Sequence, residues 1–379
     1  MSIRTEDSTL TSWILEVDRR LLWAVLALVL VGAIFVVSAG SVSAERIHQP
    51  WYYFLVKSIP FYVIGLITLF AASMLKKKWV LGISALNICV GLVLLAWTCI
   101  APYKIKGSAR FVHTPITNIS PSDIMKPGFV ILTAWFLYKM HSAYGDNMFL
   151  SRDAWRFRKL SWWTYLAIFV PVLLIMFLHP DVGTAFLYTI TFGGMTFLAG
   201  LPWSIVIGLV GFGIVAGAVA FMIMPHVHAR FMSFFTGQGD KYQVTQSIQS
   251  IQHGGLLGSG DDAFVKESLP DAHTDFIYAA IVEDFGAIVA CVLLCGLVYV
   301  LKRLTTDAMS SRNPFVFYAT GGAAILFGTQ VCINLATTLH LMPPKGMTLP
   351  FISYGGSSFV GFCLLFGMVL ALIREDKWK

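Results

Sequence analysis

Ten apolar runs, each near the roughly 20 residues a helix needs to cross a bilayer, constrain this chain more than any other feature. They occupy 21–41, 51–75, 79–102, 121–140, 162–178, 181–200, 203–224, 277–301, 314–340 and 355–373. In hydrocarbon every backbone N–H and C=O must be paired within its own segment or a closed barrel, and runs of this length select helices. A composition of 57% hydrophobic and 12% charged residues, with a mean hydropathy of +0.73, excludes an ordinary soluble domain. The expected fold is all-α, a polytopic integral membrane protein with ten transmembrane helices and both termini on one side.

Flanking charge orients the bundle, because short cytoplasmic loops retain Lys and Arg. With the N-terminus inside, ten of the 27 basic residues lie at or just within the outer face, namely Arg46, Lys57, Lys104, Lys106, Arg110, Lys126, Arg230, Lys241, Lys266 and Lys345, leaving 17 on the cytoplasmic side. Topology accounts for the inner set; the outer set suits an anionic ligand. Residues 1–20 and 374–379 read as cytoplasmic tails around a membrane domain spanning 21–373. Ser41-Val42-Ser43-Ala44 resembles a cleavage site, but the apolar core before it exceeds a signal h-region, so the first run reads as a retained helix. Cys89, Cys99, Cys291, Cys295, Cys332 and Cys363 all fall inside apolar runs, which indicates neither a disulfide framework nor a metal site.

The first informative outer segment, 104–126, ends in Ser120-Pro121-Ser122-Asp123 before the fourth helix. Ser120 suits a cap and Pro121 a first helical turn. Asp123 and Lys126, three apart, share a face. Either they neutralise one another, or Lys126 with Arg110 faces a phosphate on a lipid carrier. Lys104 and Lys106 fit that role or interfacial snorkelling equally. The turn His179 to Thr184 puts Asp181 at the outer surface, where capping the sixth helix and lining a cavity are compatible. The long outer loop 225–274, between the seventh and eighth helices, is of a length that is normally functional. His226 and His228 have no third ligand at metal spacing, and the glycines Gly254, Gly255, Gly258 and Gly260 are too loosely spaced for a nucleotide loop. Within it, 242–252 places Val244, Ile248 and Ile251 on one side of a helix suited to the membrane surface.

The stretch Leu269 to Gly286 carries Asp275, Glu283 and Asp284 into an apolar helix expected to begin near Thr274-Asp275. Carboxylates at such a boundary need a partner or a task. Glu283 and Asp284, eight and nine residues on, lie about 12–14 Å deeper along a helix and read as packing groups. Finally Lys345 to Ser358, KGMTLPFISYGGSS, opens the tenth helix with Ser353 and Ser357. Exposed amides there suit an anion, and a close-packed helix entrance is equally compatible.

These segments together resemble the SEDS family (shape, elongation, division and sporulation). The likeness rests on Pro121-Ser122-Asp123 with Lys126, Pro180 to Thr184, Gly254-Gly255 with Gly258 and Gly260, Leu269 to Gly286, and Lys345 to Ser358, in that order. The last motif is more like the division members than the elongation members. The resemblance implies a peptidoglycan glycosyltransferase of the bacterial inner membrane, at the division septum, that polymerises lipid II, an undecaprenyl-pyrophosphate-linked disaccharide peptide. It implies a class B penicillin-binding protein transpeptidase and other division membrane proteins as partners, in contact with membrane lipids and with no nucleic acid. It puts the catalytic aspartate at Asp275, and substrate-binding groups at Lys126, Arg110, Asp123, Asp181, Lys345, Ser353 and Ser357. Asp123 and Asp271 stand where the family usually has glutamate, and Ala109 and Phe111 replace a common Arg and Trp beside Arg110.

Chain growth of this kind needs a base for the acceptor C4 hydroxyl and stabilisation of a leaving pyrophosphate. Lys126, Arg110 or a divalent cation, magnesium or manganese, are the expected neutralising groups. The rival reading is a transporter that flips the lipid-linked precursor. Such a path needs polar groups on the inner half of the helices, where few are seen. A scaffold that only recruits a transpeptidase leaves Asp275 unexplained.

Overall fold

The computed structural model describes residues 9–100, 103–105, 108–113, 118–156, 160–178, 181–223, 228, 232, 241–343 and 346–377. Each apolar run lies on a helix. A short α1 (Thr9–Glu16) leads into α2 (Arg19–Arg46), α3 (Tyr53–Ser73) and α4 (Lys77–Ile100). After α5 (Pro121–Ile124) come α6 (Lys126–Tyr144), α7 (Trp162–Leu178), α8 (Val182–Leu198) and α9 (Trp203–Ile223). Then follow α10 (Lys241–Gly254), α11 (Val265–Ser268), α12 (Ile277–Ser310), α13 (Pro314–Thr338) and α14 (Gly356–Lys377). Among the described residues six of these, α2, α3, α4, α12, α13 and α14, are long and apolar enough to cross a membrane.

The fold is not purely helical. Between α4 and α5 the chain forms β1 (Tyr103–Ile105), β2 (Ser108–His113) and β3 (Asn118–Ile119), antiparallel in that order, with Tyr103 opposite Phe111 and Val112 opposite Ile119. A segment too polar to span must still pair its backbone, and Phe111, Val112 and Ile119 are strand formers.

The two most enclosed helices, α13 and α14, form the centre, with α3 lying along α14 and α12, α6 and α8 against α13. One end of the bundle is basic and held by charge. Asp18 caps α2 by accepting from Leu21 N at 2.9 Å and also pairs with Arg303, which reaches Asp307 at 2.9 Å. Arg374 donates to the carbonyls of Met74 and Leu75 at 3.2 and 3.3 Å, and Ser311 to Asp376 at 2.7 Å. A buried ion pair adds little net stability but is costly to break, so these pairs fix which helix ends meet.

α12 is two helices joined at Gly286, whose φ of 87° and ψ of 166° are open to glycine and strained for other residues. The chain after α10 fills that break: Ala287 N donates to Gly255 O at 3.0 Å and Ser259 N to Glu283 O at 2.8 Å. The expected surface-lying helix is instead docked on the bundle. Its buried positions are Ser247, Ser250 and Gly254, with Ser247 Oγ donating to Thr338 O at 2.8 Å, while Ile248 and Ile251 are half-buried. Small side chains on that face allow the close backbone approach that an apolar stripe would prevent.

Candidate active site

At the end of the bundle opposite the basic one, four chain segments converge. The turn before α12 is the first. Asp271 takes a φ of 56°, a conformation that aspartate tolerates, and its carbonyl accepts from Thr274 N at 3.0 Å and Thr274 Oγ1 at 3.1 Å. This tight turn ends the loop before the helix starts at Ile277, two residues later than the expected start, so Asp275 stands ahead of α12. Asp275 is half-buried between buried His273 and Phe276, and its carbonyl accepts from Asn334 Nδ2 at 2.8 Å. His273 lies against Phe54, ring centroids 4.0 Å apart, and its Nδ1 is 3.1 Å from Ser43 Oγ. His273, two residues before Asp275, is thereby held by packing, and Phe276, directly after it, is 2% exposed.

The second segment is the start of α5 and α6. Ser120 occupies the cap position without a side-chain cap bond; its Oγ lies 3.1 Å from Ser122 Oγ. Met125, between α5 and α6, keeps a helical φ of -74° and ψ of -17°, so Asp123 near the end of α5 and Lys126 at the start of α6 stay about one turn apart on one face. Lys126 is 3% exposed, and its Nζ donates to Asp123 Oδ1 at 2.6 Å and to Gln330 Oε1 at 2.7 Å, with the Phe362 ring centroid 5.4 Å away. A buried ammonium survives only with such compensation. Among the described residues it has these two acceptors for three N–H groups. Gly361 of α14 makes the approach possible, since a Cβ there would stand 2.5 Å from Asp123 O.

The third segment is the loop into α14. Gln330 Nε2 donates to Thr348 O at 2.9 Å, and Asn334 Nδ2 to Met347 O at 2.7 Å. Thr348 Oγ1 and Ser358 Oγ are 3.0 Å apart. Ser353 is buried and its Oγ accepts from Leu349 N at 2.8 Å; Ser357 Oγ accepts from Ser120 N at 3.0 Å. Tyr354 N donates to His273 O at 2.9 Å, tying this loop to the Asp275 turn. Burial pushes the Tyr354 phenol above its ordinary range, opposed by Lys57, so the group stays a neutral donor. Of the two readings open for this helix entrance, the described bonds are those of close packing; a shallow recess lined by Ser58, Tyr62, Ser353 and Gly356 lies beside it.

The fourth is Asp181, which caps α8 by accepting from Thr184 N at 3.3 Å. Arg110 lies on β2, but its side chain is outside the described residues, as are Lys345, Lys106, His226 and Arg230. Glu283 and Asp284 face away from the Asp275 turn into segment 253–266. Glu283 accepts from Val265 N at 2.7 Å and meets His253 Nδ1 at 3.1 Å, while Asp284 pairs with Lys266 and Ser38. Gln330, Asn334 and Thr348 are not among the candidate residues that the sequence singles out. The signal was there, as two amides four apart in an otherwise apolar helix share one face and need a partner. Among the described residues no three His, Cys, Asp or Glu side chains come together as a metal site.

The model of the FtsW/RodA/SpoVE cell cycle protein family matches residues 19–378. A relative from Caulobacter vibrioides, named "Probable peptidoglycan glycosyltransferase FtsW", is 31% identical over 98% of this chain and 93% of its own. A chain from a solved peptidoglycan synthase complex aligns with a TM-score of 0.77 at 22% identity, covering 96% of this chain and 99% of that one. The rod shape determining protein RodA of Thermus thermophilus aligns with a TM-score of 0.67 at 23% identity, covering 96% and 98%. These two share the fold.

Proposed function

The chain belongs to the FtsW/RodA/SpoVE family of cell cycle proteins, and from that membership we propose that it is a peptidoglycan glycosyltransferase that polymerises lipid II into β-1,4 glycan strands. The observation that carries the reading is the convergence at one end of a multi-pass membrane bundle. There Asp275, half-buried ahead of its helix, is tied through Asn334 to the same Met347–Thr348 backbone that Gln330 links to a buried, compensated ammonium, Lys126.

In this reading all ten apolar helices span the inner membrane, both tails are cytoplasmic, and the end with Asp275 faces outward with the segment between α9 and α12. The basic residues clustered at the other end support that orientation. The Asp275 carboxylate takes the proton of the acceptor C4 hydroxyl. That oxygen attacks the donor anomeric carbon, the bond to the pyrophosphate breaks, and undecaprenyl pyrophosphate leaves. A single displacement inverts the α-linked donor into a β bond. Lys126, with a third N–H directed to a ligand oxygen, meets the developing negative charge, and Asp123 holds it in place. Arg110 and Lys345 add charge from the flanking loops, Ser353 and Ser357 shape the loop around the donor, and Asp181 lines the cavity it caps. The described side chains do not make a metal site by themselves; a magnesium or manganese ion enters this reading only as a companion of the pyrophosphate. Its partner is a class B penicillin-binding protein, alongside other membrane proteins of the septum. The synthase complex among its structural neighbours supports a transpeptidase in that place.

The test uses the purified full chain, with and without its transpeptidase, given labelled lipid II and assayed for glycan chains. Wild-type polymerisation that vanishes in Asp275→Ala is the expected result. Equal polymerisation by that variant removes the base assignment, and lipid II movement across vesicles without polymerisation replaces this reading with a flippase.

A further inference from the structure

Gln330 and Asn334 stand one turn apart on α13, so both project from one face, and each is 1% exposed. They grip consecutive carbonyls of the loop into α14, Gln330 Nε2 holding Thr348 O at 2.9 Å and Asn334 Nδ2 holding Met347 O at 2.7 Å. With their remaining capacity they diverge. Gln330 Oε1 accepts from Lys126 Nζ at 2.7 Å, and the second N–H of Asn334 goes to Asp275 O at 2.8 Å. Resting on the polymerase reading of Asp275 and Lys126, we infer that Gln330 and Asn334 are positioning residues. They form a two-rung amide ladder that sets the base-bearing turn at a fixed offset from the phosphate-facing ammonium.

The chemistry of the side chains supports this. An Asn334 amide turned the other way would aim its oxygen at two carbonyl oxygens, so its orientation is fixed by its partners. A planar NH2 with both hydrogens committed holds the Asp275 and Met347 carbonyls at a set angle. In a buried setting these bonds are strong and costly to leave unmade. Asn334 Oδ1 is buried with no hydrogen-bond partner among the described residues, so the polar contacts of this side chain are those of its donors. Gln330 does the same for Lys126, anchoring an otherwise flexible four-carbon stem to the same loop backbone. A base displaced by about 1 Å loses roughly 100-fold in rate while ground-state substrate contacts elsewhere persist.

The experiment compares full-length wild type, Asn334→Ala, Asn334→Ser and Gln330→Met, each with the partner transpeptidase and labelled lipid II. It reads kcat and KM separately, with thermal unfolding in parallel. Asn334→Ala is expected to lower kcat roughly 100-fold with KM within about threefold, and Gln330→Met to lower kcat similarly. Asn334→Ser keeps one donor for two carbonyls, and roughly a tenfold loss of kcat is expected. Folded Asn334→Ala with wild-type kcat overturns the inference while leaving the polymerase reading intact. If that variant does not fold, wild-type kcat in Asn334→Ser overturns it instead. Absence of polymerisation by wild type with its partner strikes the polymerase reading itself.

Discussion

Gly254 packs directly on the backbone of Glu283: a Cβ added to the glycine would stand 2.5 Å from the Cα of Glu283. Gly258 and Gly286 make the same kind of contact from the two sides of the break in α12. The segment carrying α10 and α11 is therefore seated by backbone fit, in register with the turn that presents Asp275.

Gly254→Ala is expected to destabilise the protein by about 3 kcal/mol, because a rigid backbone rather than a flexible side chain occupies the space. Thermal unfolding in detergent reads the loss, and limited proteolysis within 255–264 should rise with it. An unchanged melting temperature would show that α10 does not depend on this contact.

The same segment is pinned by Lys266 and Asp284, both buried and also joined by Ser38. Lys266→Met strips the ammonium from a buried carboxylate and is expected to cost about 3 kcal/mol. Adding Asp284→Asn should recover much of that, since no charge is then left uncompensated. Strict additivity of the two losses would argue against the pair.

What could be read from the sequence was what is local. Each apolar run lies on a helix because length and hydropathy decide that within the run, and Asp123 with Lys126 paired because three residues of helix bring them together. Gln330 escaped notice as the other partner of Lys126 because 204 residues separate them and only the packing of α13 on α6 joins them. The small sheet was missed because Tyr103 to Ile119 offers strands of a few residues with no long alternation. The break at Gly286 was hidden inside a continuous apolar run; its cause is the glycine-rich chain that inserts there. The spacing of Val244, Ile248 and Ile251 suits α10 to the membrane surface, whereas close backbone approach seats it on the bundle through Ser247, Ser250 and Gly254.

Lys126→Met is expected to abolish polymerisation and to cost about 3 kcal/mol of stability, for it leaves Asp123 and Gln330 facing an apolar chain. The double variant Asp123→Asn, Lys126→Met should regain stability without regaining activity. Recovery of both would reduce the pair to a structural ion pair, the plainer of its two sequence readings.

Asp181 separates capping from charge. Its carboxylate accepts from Thr184 N at 3.3 Å at the start of α8, a bond that an asparagine oxygen can also accept. Asp181→Asn should keep the helix end and remove the charge, whereas Asp181→Ala removes both and should cost about 1 kcal/mol. If the carboxylate also lines the substrate cavity, Asp181→Asn will polymerise lipid II more slowly than wild type at an unchanged melting temperature. Wild-type rates in Asp181→Asn, with a lower melting temperature confined to Asp181→Ala, would make the residue a cap and nothing more.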